Sequence, residues 1–355
     1  MSVFETYADY YRFFANESRR GGSPLYERLS LGIAGDDAIH RLAARRRRGQ
    51  PAANLIFGAV HYLLLGGEQH ALRDYYPSLG GSRPVDDDAF ERFREFCLSK
   101  ETELTSIIAK RVTNTNEVGR SALLAPAFEI IAGEAGAALG LIEIGSSAGL
   151  NLNFDRYGYR YLDDANAPRL QRRLNSSLII SCNLKGTGVP WLAVAPPPVG
   201  TRMGLELSPI DVSQESERQW LKALVWPERV DRIRRLEGAL DIIARHPVRI
   251  VPGDAIANLQ EALAGIPRDQ ARCVYHTVMA YQLNRDQHQS IDKILLEASK
   301  SAPVWRVTIE GEVSGQNPLE TVTTLWIYRY MNGECAGQSF AVCDPHGLWI
   351  EWKQG

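Results

Sequence analysis

The sequence predicts an α/β protein: a mostly parallel sheet with crossover helices, extended by antiparallel C-terminal strands and preceded by a helical N-terminal region. Three observations carry that expectation. Before residue 138 the apolar residues fall at three- and four-residue spacing; after it, short β-branched runs alternate with helical stretches; and the last of those runs are joined by tight-turn signals. With 355 residues, 45% of them apolar, the chain can bury a substantial core, and its length favours two domains. They read as a helical domain over 1–137, set as a cap over a cleft, and an α/β domain over 138–355.

In the first half, helices are expected over 23–44, 52–65, 87–109 and 116–139. The segment 55–65 is the most apolar, but it is too short to span a bilayer and contains His61, so it predicts a buried core helix. Arg45-Arg-Arg-Arg48 follows an apolar-periodic stretch and reads as a solvated helix end, where cations suit the terminal carbonyls. In the second half, parallel strands are expected over 140–144, 203–207, 248–251, 272–276 and 304–309. The runs 322–330, 338–343 and 348–352, joined by Asn332-Gly333 and Asp344-Pro-His-Gly347, should pair antiparallel. The interval between the first two strands is long, so 156–200 reads as an insertion covering the cleft, with 177–184 and 191–195 forming a hairpin inside it.

Composition narrows the partners. Forty basic against 42 acidic residues leave a formal charge of -2, and no strong field draws the chain towards nucleic acid or anionic lipid. Five widely spaced cysteines without a Cys-x-x-Cys pair fit reduced thiols in the cytoplasm, and the mixed composition of residues 1–17 gives no signal peptide. The histidines show no metal-ligand spacing, so no metal is expected. The oligomeric state is not legible.

The chemistry begins where the first strand, Leu141-Ile-Glu143-Ile144, runs into Gly145-Ser146-Ser147-Ala148-Gly149. Small residues there let the backbone approach a ligand, and a helix is expected next, with Leu150, Phe154 and Tyr157 on its apolar face. A dinucleotide fingerprint needs a third glycine that is missing. The pattern acidic-x-Gly-x-small-x-Gly of an S-adenosylmethionine loop is met by Glu143, Gly145, Ser147 and Gly149, with serine in the usual place of a middle glycine. Ser146, Asn151 and Ala255 are expected beside the cofactor too, and Glu143 can accept from its amino group.

Ligands of open parallel sheets sit beyond the carboxyl ends of the strands. Three later strand ends carry polar residues: Glu206 for ribose hydroxyls, Asp254 for an adenine amino group, and His276 beside the reacting centre as cofactor contact and general base. Each also has a plainer role, as a helix N-terminal acid, an N-cap and a satisfied core histidine. Asn116, Glu117 and Arg120 could reach the cleft as substrate-pocket residues or cap a helix, Thr115 or Asn116 being the cap. Asp155, Arg156 and Tyr157 could line the pocket or tie down the insertion.

The segments Ser23-Pro-Leu-Tyr26, Asn54-Leu-Ile-Phe57, Thr115-Asn-Glu-Val-Gly-Arg120, Gly145-Ser-Ser-Ala-Gly-Leu-Asn-Leu152 with Asp155-Arg-Tyr-Gly-Tyr159, and Trp220-Leu to Trp226-Pro resemble a bacterial domain-of-unknown-function family, number twenty-three thirty-two, over nearly the whole chain. The resemblance implies a class I methyltransferase-like, Rossmann-like fold that binds S-adenosylmethionine. Tyr275-His276-Thr277-Val278 stands where nitrogen methyltransferases of bases carry Asp/Asn-Pro-Pro-Tyr, which disfavours base methylation and points to a small-molecule acceptor, methylated by in-line transfer. Two alternatives stay open: a nucleotide-binding or interaction protein without turnover, and a serine hydrolase, since Gly145-x-Ser147-x-Gly149 also matches a nucleophile elbow with His346 as its latest histidine.

Overall fold

The computed structural model describes residues 6–114, 116–313 and 321–353. The chain runs through α1 (Tyr7–Arg20), α2 (Pro24–Ile33), α3 (Asp37–Ala43), α4 (Ala52–Leu65), α5 (Asp88–Ser99) and α6 (Glu101–Lys110), then α7 (Ser121–Ala135) into β1 (Ala138–Ile144). After β1 come β2 (Gly158–Leu162), β3 (Pro168–Arg172), β4 (Ile179–Leu184), β5 (Val199–Glu206), α8 (Glu215–Ala223), α9 (Val230–Arg245) and β6 (Arg249–Pro252). The last part is α10 (Ala255–Ala264), β7 (Gln270–Thr277), α11 (Arg285–Ser299), β8 (Val304–Val313), β9 (Thr321–Met331), β10 (Glu334–Cys343) and β11 (Trp349–Trp352). No helix of the described residues is long and apolar enough to cross a membrane.

Two compact units divide the chain: residues 1–115 with 213–234, and residues 116–212 with 235–355, the last boundary falling inside α9. The first unit is helical. Local chemistry starts its helices, with Thr6 accepting from the Asp9 amide and Ser23 from the Tyr26 amide just ahead of Pro24. Its core is rich in aromatics: Tyr26 stacks on Phe57 at 4.3 Å, with Phe14, Phe93 and Trp226 around them. The expected helices over 23–44 and 87–109 are each two, α2 with α3 and α5 with α6, broken at Ala34-Gly35-Asp36 and at Lys100. Arg46 in the basic run donates to the Ala43 and Gln50 carbonyls, 3.4 and 2.8 Å away, just beyond the end of α3. Residues 213–234 join through Glu228, whose carboxylate accepts from the Ser23 hydroxyl at 2.7 Å and the Leu25 amide at 3.0 Å.

The second unit holds one sheet of eleven strands among the described residues, in the order β3-β2-β4-β11-β10-β9-β8-β7-β1-β5-β6. β6, β5, β1, β7 and β8 are mutually parallel, and they bury Ile142, Leu205, Val274 and Val304 under α10 and α11. β8, β9, β10 and β11 follow as antiparallel neighbours. Asn332 and Gly333 both take left-handed angles, φ 53° and 82°, the backbone of a two-residue hairpin turn.

One expectation is corrected here. Residues 177–184 and 191–195 do not form a hairpin: β4 pairs in parallel with β2 and with β11, and 191–195 has no strand. The region 156–200 instead supplies β2, β3 and β4, which lengthen the sheet at its far end. Helix α7 groups with this sheet although it precedes the pattern change at 138. Its first nine residues are all buried, and most of them are apolar. It packs on β1, β7 and β8 and also on β4, while Tyr161 of β2 donates to the Ala122 carbonyl at 2.6 Å. Strands from both ends of the order therefore meet one helix, so the sheet curves around it.

Candidate functional site at the carboxyl ends of the parallel strands

The order β6-β5-β1-β7-β8 runs outward in both directions from β1, so the connections leave β1 and β7 on opposite sides. Such a switch point opens a crevice beyond the strand ends. The loop 145–149 begins there. Gly145 takes φ +72°, is the one exposed residue of the loop, and a Cβ on it would lie 3.3 Å from the Met279 side chain. Left-handed backbone and this close approach both favour glycine. The segment after the loop is not the expected helix. Leu150–Arg156 forms a short 3-10 segment kinked at Asn153, because Asn151, Asn153 and Asp155 use their side chains on local and tertiary partners.

Ser147, at φ +52°, occupies a conformation that costs a serine about 1 kcal/mol. Two polar contacts hold it. Its amide donates to Glu206 Oε2 at 2.7 Å, and its hydroxyl accepts from the Asn116 amide group. Glu206 Oε1 accepts from the Ser208 amide at 3.0 Å. The structure thus brings together Asn116, Ser147 and Glu206, far apart in sequence, and spends part of the Glu206 acceptor capacity on loop amides. Next to Glu206, Leu207 is 75% exposed, an apolar side chain standing in solvent at the strand end.

Glu143 lies beneath the loop, 3% exposed, and its Oε2 has no hydrogen-bond partner among the described residues. Burial pushes its pKa up to about 8; the neighbouring Tyr275 hydroxyl, Arg120 charge and Asn151 amide oppose the rise, and Glu206 adds to it. Ser146 Oγ is likewise buried without a partner. Asn151 is held through Oδ1, which accepts from the Ser121 hydroxyl at 2.7 Å.

The remaining sequence-predicted residues divide. Asp254 caps α10, accepting from the Ile256 amide at 2.8 Å, and is exposed next to Ala255. Asp155 is bound bidentately by Arg202 at 2.6 and 2.8 Å, and Tyr157 donates to the Leu150 carbonyl at 2.5 Å, fully buried. Arg156 donates to Asn153 at 3.2 Å. These three tie down the chain between β1 and β2. Thr115 lies outside the described residues.

His276 has a place that a base cannot share. Its Nδ1 lies 2.6 Å from Glu310, and its Nε2 accepts from Arg306, whose Nη2 is 2.7 Å away. Burial holds its pKa below the ordinary value, Glu310 opposing and Arg306 reinforcing. Neutral His276 therefore donates to Glu310 and has no lone pair left for a substrate. Glu310 also accepts from the Met279 and Ala280 amides, both at 3.2 Å. It thereby fixes the loop in which Val278 takes φ +48°, a strained angle for a β-branched residue. His276, Glu310 and Arg306 position the β7 loop, and with it Met279 against Gly145.

The candidates Glu117 and Arg120 sit in a cluster that sequence reasoning did not join to Arg235 and the 344–347 turn. The Glu117 carboxylate, 3% exposed, accepts from the Gly119 amide at 3.0 Å and from Arg235 at 3.4 Å, and lies 3.7 Å from His346 Nδ1. Arg120 donates to the Pro345 carbonyl at 2.8 Å and to the Thr277 carbonyl at 3.1 Å, linking the Asp344–Gly347 turn to the end of β7. The signal available in sequence was the pair Gly119 and Gly347: a Cβ on either would overlap the backbone of the other segment. No group of three or more His, Cys, Asp or Glu side chains among the described residues is arranged to hold a metal.

Fold and site together define an α/β protein with an open parallel core, a glycine-bearing loop at its switch point and a buried polar cluster behind it. The chain belongs to the family DUF2332, described as uncharacterized protein conserved in bacteria, which it matches over residues 8–352. No curated protein and no solved structure matches it.

Proposed function

We propose that this protein binds S-adenosylmethionine at the loop 145–149 and methylates a small molecule. The observation that carries the reading is Gly145: exposed, at φ +72°, on the first strand of a parallel set at its switch point, with an acidic residue, Glu206, at the neighbouring strand end. The parallel order β6-β5-β1-β7-β8, with a switch point beside β1, supports the reading. The residues fit the group. Glu143 has an unpartnered buried oxygen for an ammonium, Glu206 retains lone pairs for ribose hydroxyls, and exposed Leu207 offers an apolar face for an aromatic base. Asp254 can accept from the base only through the oxygen that Ile256 does not use.

When bound, S-adenosylmethionine supplies a methyl group on a sulfonium, ready for in-line attack. The chain's residues position donor and acceptor, which supplies most of the rate in such transfers. Its two partners speak against His276 as the base, and it serves by holding the β7 loop. We also propose a cytoplasmic location, supported by five cysteines that are all free thiols.

The serine-hydrolase alternative is disfavoured by Ser147, which is 5% exposed and whose hydroxyl pairs with Asn116. A binding protein without turnover stays in view because the expected base is consumed. Thermal unfolding with S-adenosylmethionine or S-adenosylhomocysteine tests the cofactor reading: either ligand at millimolar concentration should raise the midpoint, and Gly145→Val should abolish the rise. An unchanged wild-type midpoint would remove the reading.

A further inference from the structure

Glu143 stands in register between two residues that shape its surroundings. On one side its partner is Tyr275 of β7, whose ring packs on Phe128 of α7 at 5.2 Å and whose hydroxyl lies beside the carboxyl group. On the other side its partner is Gly204 of β5. Residues in register on neighbouring strands point to the same face of the sheet, so Gly204 leaves a gap next to Glu143 where another residue would place a side chain. The Ser146 hydroxyl fills that gap, since a Cβ on Gly204 would overlap it. Two buried oxygens therefore share this face under the loop, Glu143 Oε2 and Ser146 Oγ, and neither has a hydrogen-bond partner among the described residues.

The groups facing Glu143 come from every element around it. Arg120, ahead of α7, acts on it from a guanidinium that also serves the Pro345 and Thr277 carbonyls. Glu206, at the end of β5, opposes with like charge. Tyr275, Asn151 and Tyr157 are neutral, and Arg202, farther along β5, is bound bidentately to Asp155 at 2.6 and 2.8 Å. A buried carboxyl near a second carboxylate, with an oxygen that no donor meets, is held as the neutral acid, and its pKa of about 8 agrees. In that form it cannot pair with a cation. To accept an ammonium group it must first lose its proton.

We propose that Glu143 selects the ligand by exchanging its proton for an ammonium group: the site takes nucleoside thioethers or sulfoniums that carry a free amino-acid end, and releases one proton on binding them. The inference rests on the cofactor reading and deepens it, because it makes the amino-acid end the part of the ligand on which specificity turns. In the exchange the carboxyl O–H bond breaks, the proton passes to water, and the carboxylate accepts an N–H of the incoming ammonium. Ser146 Oγ has lone pairs for a second N–H. 5′-Methylthioadenosine has the same base, ribose and thioether sulfur but no amino-acid end, so it leaves Glu143 protonated.

The test is titration calorimetry of the full chain near neutral pH in phosphate and in Tris, two buffers of different ionisation enthalpy, so that the difference in heat counts the protons released. S-adenosylhomocysteine should release about one proton per site and 5′-methylthioadenosine none; the affinity of the first should rise about tenfold from pH 6 to 7 while that of the second stays level. Binding of S-adenosylhomocysteine alone, with its proton released, is equally expected, since the amino-acid end then supplies the affinity. Glu143→Gln should bind S-adenosylhomocysteine with no proton released. S-adenosylhomocysteine bound by wild type without proton release, or equal release with both ligands, would overturn the exchange, and this comparison stands whether or not the variant folds. Binding of neither ligand would instead remove the cofactor reading, and the exchange with it, a result the same titration separates from the others.

Discussion

His61 of the helical unit and Glu143 of the sheet unit are buried in opposite ways. In the helical unit His61 is fully buried with both ring nitrogens engaged, Nε2 with the Ser78 hydroxyl at 2.8 Å and Nδ1 with the Ala223 carbonyl at 3.1 Å, among stacked aromatics. In the sheet unit Glu143 is buried with an oxygen unpaired, beside an unpaired Ser146 hydroxyl. Burying a polar group without partners costs stability. The first arrangement serves the fold. The second works against it, and under the proposed function a ligand would complete the missing hydrogen bonds.

That contrast can be broken or sharpened by variants. The largest effect is expected at Glu143. Its folded pKa, about 8, lies above the ordinary carboxylate value, so the folded state binds the extra proton and stability falls as pH rises from about 4.5 to 8. Glu143→Gln should remove that fall and stabilise the protein at pH 9 by up to about 5 kcal/mol, read from urea unfolding at several pH values. Next comes Phe57→Ala, which empties the aromatic core around Tyr26, Phe14 and Phe93. It should cost about 3–5 kcal/mol at any pH.

His61 should give a smaller effect of opposite sign in pH. Burial lowers its pKa to about 4, so the unfolded chain binds the proton first and stability is complete above about 6.5 and declines towards 4. The decline amounts to about 3 kcal/mol and should vanish in His61→Gln, as the difference between the two denaturation series. The smallest effect is expected at His276. His276→Gln loses one buried hydrogen bond and about 1–2 kcal/mol, and leaves S-adenosylhomocysteine affinity within about threefold. A far larger loss of affinity would return His276 to the ligand site.

Much of this was legible in the chain. The five parallel strands announce themselves by β-branched runs, and the loop at 145–149 by its small residues. The partners of β2 and β4 were not, because alternation tells which face a strand buries and nothing about which strand lies beside it. α7 was assigned to the helices that precede it because its pattern is local and its burial is not. Glu206 and Asn116 were found as polar residues at strand and helix ends, and the structure joins both to Ser147. The partners of His276 were not legible for a reason of register. His276 pairs with Thr308 of β8, which sets Arg306 and Glu310, two residues to either side on the same face, against its two nitrogens. Such a neighbourhood is written in pairing, not in spacing.

The central claim is that the carboxyl-end cluster sacrifices stability for a ligand, and Glu143→Gln at pH 8.5 tests it most directly. Unfolding free energy and S-adenosylhomocysteine affinity are measured on the same protein. A more stable variant that binds at least about tenfold more weakly is the predicted result, one lost charge-assisted hydrogen bond being enough. A more stable variant that binds as tightly as wild type would contradict it.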